Sequence, residues 1–208
     1  MERGPNAGRL LPLFPLRLVV FPGSATPLHI FEERYREMVG EAAAAGTEFG
    51  IVLANNGGIV NSGCTVVVES VLKQYPDGRF DVMTRGQRRF TIQSLNEEKA
   101  YLRGAVEYFN DESDEPAPAE LRRKAIGAFG QTGDEKVPPE DHPLLSFQLA
   151  EAIDDLGFRD MIQRSRSEVE RLQTFIEFAG VYIERRQYAA KMQRTAGMNG
   201  HGHKRVAE

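Results

Sequence analysis

The sequence predicts an α+β fold: a small, mostly antiparallel β-barrel with one embedded helix, followed by a carboxy-terminal helical bundle. Three observations carry this expectation. Short apolar and valine-rich runs alternate with turn signals between residues 49 and 109, and one helical periodicity precedes them. After an acidic, proline-bearing stretch, every remaining pattern is helical. The expected division is a barrel over 1–109, a linker over 110–118, a bundle over 119–193 and a disordered tail over 194–208.

The first segment, Leu10 to Phe21, has strand composition, but Pro12 and Pro15 cannot donate ladder hydrogen bonds. It predicts an edge or kinked strand that pairs well only from about Leu16. Phe31, Tyr35, Met38, Val39 and Ala42 recur at helical spacing, predicting an amphipathic helix over 31–45 that Gly46 ends. Phe49–Ala54 is a short apolar run closed by Asn55-Asn-Gly-Gly58. Thr65–Tyr75, the turn Pro76-Asp77-Gly78 and Arg79–Thr84 predict a hairpin, and Arg89–Leu95 and Tyr101–Phe109 two further strands. Five or six short strands around one helix close economically into a barrel.

The stretch Asn110 to Pro118 is too polar to build a core and predicts a spacer whose acids are solvated. Helices are expected over Ala119–Phe129 and Pro143–Leu156, with a short apolar segment at Phe158–Ile162. Ser167-Glu-Val-Glu170 fits a capping box, followed by the stripe Val169, Leu172, Phe175, Ile176, Ala179, Tyr182 and Ile183. Phe178 and Val181 lie beside that stripe and suggest a second apolar face, hence a possible homodimer.

Composition excludes several classes. Of 208 residues, 41% are hydrophobic, which fits a globular chain, and no apolar run approaches the roughly 20 residues that span a bilayer. The polar start, Met1 to Arg9, does not read as a signal peptide, and the single cysteine, Cys64, leaves no internal disulfide or cysteine-based zinc site. A cytoplasmic setting is expected. A net charge of −4 gives no overall attraction to phosphate backbones or anionic lipid, so nucleic acid and membrane are not the expected partners.

Three blocks resemble one known family. Leu11-Pro-Leu-Phe-Pro-Leu, Val19-Val-Phe-Pro-Gly23 and Pro27-Leu-His-Ile-Phe-Glu-Glu-Arg-Tyr35 are similar to the opening of the Lon protease amino-terminal, substrate-recognition domain, especially its stand-alone bacterial version. Asp77 to Ile92 resembles that family's central strands, with a glycine and an arginine between two apolar runs, and Tyr101–Glu107 resembles the closing strand. The resemblance covers about residues 9–190. It implies a PUA-like barrel packed on a helical bundle, and a protein that binds exposed, often apolar segments of unfolded or damaged chains.

The chemistry of a full Lon enzyme is not legible. Gly127-Ala-Phe-Gly-Gln-Thr-Gly133 is the nearest approach to a phosphate loop, but Asp134 and Glu135 stand where Lys and Ser/Thr are required, and acids there repel a triphosphate. No serine sits on a nucleophile turn, and no lysine lies in a setting that lowers its pKa. The expectation is a non-catalytic protein without cofactor or metal. His29 reads as a structural residue in the apolar start of the first helix, and His142 as a helix-start residue. His201 and His203 are two ligands on a tail, too few for a specific site, and Cys64 reads as a small core residue.

Two surfaces remain. For contact with protein or unfolded polypeptide segments the candidates are Phe14, Phe109, Phe147, Phe158 and Met161, which lie near irregular segments, although each taken singly reads more readily as core. The alternative is a PUA-like barrel that binds RNA through a basic turn of Arg85, Arg88 and Arg89. Against it, an arginine after a glycine can bond carbonyls at a barrel rim or pair with an acid such as Asp81.

Overall fold

A computed structural model describes residues 10–132 and 136–199. The polar start, Asp134-Glu135 with Gly133, and the tail histidines His201 and His203 lie outside the described residues. Six strands form one sheet: β1 (Leu11–Leu16), β2 (Ala25–Ile30), β3 (Phe49–Asn55), β4 (Gly58–Gln74), β5 (Phe80–Asn96) and β6 (Arg103–Phe109). Their order is β2-β5-β4-β3-β1-β6, and β5 also pairs with β6, which closes the last five strands into a barrel. Only β1 and β3 run parallel; the other pairs are antiparallel.

The length of β5 makes this closure possible. Its first part, Phe80–Arg85, carries β2, and its second, Arg89–Asn96, carries β6, while β4 lies along its other edge from Ser62 to Gln74. Three register shifts between β4 and β5 bend the pair, as bulges do in barrels. The expected interruption between Thr84 and Arg89 is absent. Gly86 sits inside the strand because the Phe21 carbonyl occupies the place a Cβ would take, and its N–H and C=O bond Ser24 O and Gly23 N, both at 2.9 Å. The basic residues around it are therefore strand residues, not a turn.

β1 corrects a second expectation, since it begins at Leu11 and ends at Leu16 rather than starting there. Leu11 and Pro12 are in register with β6, and Leu13–Leu16 with β3, so each proline has one registered neighbour strand at a time and its missing N–H is tolerated. Helix α1 (Glu33–Ala45) buries Tyr35, Met38, Val39 and Ala42 over the barrel and ends at Gly46, whose φ of +62° suits a residue without Cβ. Phe31 is not on that face. It precedes the helix and is 59% exposed.

The helical half comprises α2 (Ala119–Gly130), α3 (Leu145–Ala150), α4 (Leu156–Arg164) and α5 (Glu168–Asn199). The single helix expected over 143–156 is shorter. Arg159 donates to the carbonyls of Ile153 and Glu151 (both 2.7 Å), and the Asp155 carboxylate caps α4 by accepting from Phe158 N at 2.9 Å. These bonds satisfy the groups that a break exposes. Half of the expected capping box forms: Ser167 Oγ accepts from Glu170 N, while the Glu170 carboxylate takes the Ser165 hydroxyl. Helix α5 continues six residues beyond the expected end at 193.

Barrel and bundle share a core. Val19, Phe21 and Leu53 pack with Phe129, Phe147, Phe158, Leu172 and Phe175 of the helices, and Phe21 stacks on Phe147 with centroids 5.4 Å apart. A second cluster fills the space between the barrel and α1.

Candidate functional site

The arginines that suggested a nucleic-acid patch are neutralised. Arg85 forms an ion pair with Glu69 and donates to the Gly23 carbonyl; the Glu69 bond holds its pKa above the usual value. Arg88 pairs with Glu48 at 2.9 Å and lies over the Tyr108 ring. Arg89 is only 4% exposed. Its guanidinium donates to the carbonyls of Gln163 and Ser165 and to the Asp111 carboxylate at 2.5 Å. Burial lowers its pKa, and the Asp111 charge opposes that. None of the three pairs with Asp81. Each of the three thus has an acidic partner within the chain, which weakens the case for phosphate binding there.

Asp111 is the centre of the joint between the two halves, not a solvated acid. It accepts from Arg89 of β5 and twice from Arg171 of α5, at 2.7 and 2.6 Å. Arg171 also donates to Ser146 Oγ and Ser165 O. A similar buried guanidinium, Arg122, bridges Glu168 and the carbonyls of Glu140 and His142. The segment 110–118 is thus tied down at its start, and Ala117 near its end is buried.

Four of the five apolar candidates belong to the interior. Phe14 packs on Tyr35 (4.1 Å), Phe147 on Phe21, and Phe158 on Phe175 and Phe178, while Phe109 lies beneath the guanidiniums of Arg89 and Arg166. All four are buried, so they offer no contact surface despite the irregular backbone near them. Met161, on α4, is exposed.

An exposed aromatic group lies on β2, which pairs with β5 outside the closed ring, and on the adjoining β4–β5 hairpin. The Phe31 ring stacks on His29 (5.9 Å, 20°), and His29 meets the edge of Tyr75 (5.7 Å, 87°). Asp81 fixes this row: one carboxylate oxygen binds His29 Nδ1 at 2.5 Å and the other accepts from Tyr75 Oη at 2.8 Å. Those two hydrogen bonds, the His29 one foremost, hold the Asp81 carboxyl below its ordinary range. Lys73 and Arg79 lie over the Tyr75 ring, and Val71 and Leu72 are exposed on the same hairpin. β2 pairs with β5 alone, but Pro27 removes a donor, which discourages addition of another strand. The surface therefore suits side-chain contact with apolar groups more than backbone pairing.

His29 is a strand residue facing this surface, not part of the first helix. The signal was present in the sequence: Thr26, Leu28 and Ile30 alternate with Ala25, Pro27 and His29, a period of two that places the imidazole outward.

The sequence profile of the ATP-dependent protease La (LON) substrate-binding domain matches residues 10–173. The chain belongs to this family. The fold agrees: the crystal structure of the Lon N-terminal domain protein from Xanthomonas campestris superposes with a TM-score of 0.65 at 26% identity, covering 81% of this chain and 98% of that one. The N-terminal domain of the Mycobacterium avium complex Lon protease gives 0.59 at 15% identity, covering 83% and 98%, which supports the fold. Among curated relatives, the Lon protease of Parabacteroides distasonis is 29% identical over 115 residues, 51% of this chain and 14% of that protein. That of Roseiflexus castenholzii is 26% identical over 136 residues, 61% of this chain and 17% of the relative. The chain thus spans about one seventh of the Lon proteases it matches, and the matched part is the substrate-binding domain. The PUA-like barrel with a carboxy-terminal helical region is the Lon amino-terminal architecture.

Proposed function

We propose that the chain is a non-catalytic recognition module that binds apolar segments of unfolded or damaged polypeptides, acting as an adaptor, and that Phe31, His29 and Tyr75 form the centre of the contact surface. The single observation that carries this reading is the aromatic row across β2 and the β4–β5 hairpin, with His29 and Tyr75 bonded to Asp81, in a domain whose family is named for substrate binding. Phe31 leaves 59% of its surface exposed, apolar area that a bound polypeptide would cover. The rings are already oriented, so covering them costs little further side-chain entropy, while the ligand's own ordering keeps affinity modest. Lys73 and Arg79, which lie over the Tyr75 ring, provide a polar margin.

The test is fluorescence anisotropy with a labelled, permanently unfolded polypeptide. Wild-type protein should bind, and Phe31→Ala and Tyr75→Ala should each weaken binding about tenfold, the loss expected for an anchoring aromatic. Equal affinity for all three proteins removes the proposed site. Retention of RNA in place of polypeptide, abolished by salt, overturns the reading altogether.

A further inference from the structure

We infer that a cavity between the start of β1 and the second half of α1 binds a small carboxylic acid with a short aliphatic chain, its carboxylate held by Lys99 and Arg103. This goes beyond the polypeptide-binding reading and uses a different site. The cavity has a volume of about 410 Å³, within the range of small-molecule pockets. One side of it is apolar: Leu10 and Pro12 come from around the start of β1, and Met38, Ala42 and Ala45 from α1. The other side is built by the segment that joins β5 to β6 and by the first residue of β6, which bring Lys99, Tyr101 and Arg103 to it. The backbone fixes β1 against this segment. Leu13 N donates to Leu102 O at 2.8 Å, and Pro12 is in register with Arg103.

Unspent donors select an anion. Among the described residues, Arg103 hydrogen-bonds through Nη2 alone, to Asn96 Oδ1 at 2.7 Å and Glu98 Oε2 at 3.2 Å. Its Nε is buried without an acceptor. An orphaned donor of this kind is uncommon in a folded chain and points to a group that the chain itself does not supply. Glu98 is 79% exposed, so its pairing with the guanidinium is weak. Lys99 uses one of its three ammonium donors, on Tyr101 Oη at 3.0 Å. Glu37 and Glu41 stand 4.0 and 3.9 Å from Lys99 Nζ, beyond hydrogen-bond reach. The Tyr101 bond raises the Lys99 pKa, so the ammonium is charged at neutral pH. The cavity therefore faces two cations and one anion, Glu41. That balance suits a single carboxylate, the group that guanidinium and ammonium donors recognise, whereas a phosphate brings a second negative charge towards Glu41. The side chains of Met38, Ala42 and Ala45 offer no donor or acceptor of consequence, so what lies beyond the carboxylate is aliphatic.

The test is an amide chemical-shift titration of the full chain with N-acetyl-leucine, up to about 20 millimolar. Shifts should concentrate on residues 38–47 and 99–103, with a dissociation constant of about 1 millimolar. N-acetyl-leucine amide has the same shape without the charge and should bind at least about tenfold more weakly. Lys99→Met should weaken the acid by a similar factor while leaving the fold intact, since the side chain is well exposed. Arg103→Gln should weaken it too, and Lys99→Met keeps the test valid if that second variant folds poorly. A peptide ending in leucine separates the two sources of this chemistry. Tighter binding than N-acetyl-leucine assigns the cavity to polypeptide ends, and equal or weaker binding assigns it to free acids. Equal affinity for acid and amide overturns the inference, as do shifts centred elsewhere or none at the highest concentration. Phe31→Ala should leave the titration unchanged; loss of binding there places the acid on the aromatic row and overturns the inference as well. Failure of the aromatic row to bind unfolded polypeptide leaves this cavity standing, because the two sites share no residue.

Discussion

Replacing Asp111 with alanine should destabilise the protein more than any other single change to a polar residue. The carboxylate is the shared acceptor of two buried guanidiniums, with three hydrogen bonds between 2.5 and 2.7 Å. Arg89 and Arg171 are 4% and 3% exposed, so without Asp111 they remain buried, adjacent and of like charge. Removing one partner of a buried ion pair costs about 3–5 kcal/mol, and the carbonyls of Gln163 and Ser165 and the Ser146 hydroxyl compensate only in part. With a urea dependence of about 2 kcal/mol per molar, a loss of about 4 kcal/mol lowers the unfolding midpoint by about 2 M. The assay is urea unfolding followed by circular dichroism at pH 7. A midpoint shift below about 0.5 M refutes the claim that this network joins the barrel to the bundle.

The same residue sets an acid limit. Burial alone pushes the Asp111 carboxyl up, but the hydrogen bonds and charges of Arg171 and Arg89 outweigh it and hold the group below its ordinary value. A carboxyl whose folded pKa is depressed contributes stability that is complete above its unfolded pKa, about 4, and is lost as pH falls through the lower folded value. Stability of the wild type should therefore decline as pH drops below about 4, and Asp111→Asn should flatten that part of the profile.

Three further outcomes are expected. Cys64 is buried and burial pushes its thiol up to about 12, so it should not react with a disulfide reagent at pH 8 until the protein unfolds; rapid reaction of native protein contradicts its placement. Gly86→Ala sets a methyl group onto the Phe21 carbonyl and should prevent stable folding or cost several kcal/mol, read as loss of soluble protein or a lowered thermal midpoint. Phe158→Ala should cost about 3–5 kcal/mol because the ring is fully buried, whereas Phe31→Ala should change stability by less than about 0.5 kcal/mol, and equal effects in a denaturation series contradict the assignment of core and surface.

Much of this fold was legible because its local signals agree with its final packing. Gly46 ends α1, Pro76-Asp77-Gly78 turns the hairpin, and the stripe of α5 faces the bundle as its spacing predicts. The failures share a physical cause. Arg79–Thr84 and Arg89–Leu95 look like separate strands because Gly86 resembles a break, whereas it is there to admit the Phe21 carbonyl. That carbonyl comes from residues 65 positions earlier, and nothing local announces it. Asp111 reads as solvated because its neighbours are acidic, yet its partners lie 22 and 60 residues away. Phe14, Phe109, Phe147 and Phe158 lie near irregular segments in the sequence, yet contacts with residues distant in the chain bury all four. The exposed row of Phe31, His29 and Tyr75 was the more accessible signal. It required reading the two-residue alternation of Ala25–Ile30 as a strand.

The most direct test of the proposed recognition surface is an amide chemical-shift map of the isotopically labelled chain titrated with an unfolded, apolar polypeptide. If the proposed surface binds, the largest shifts fall on residues 26–31 and on the hairpin from 70 to 83, with little change around Arg85–Arg89 or within the helices. A footprint centred on Met161, or on the basic residues of β5, would contradict the account.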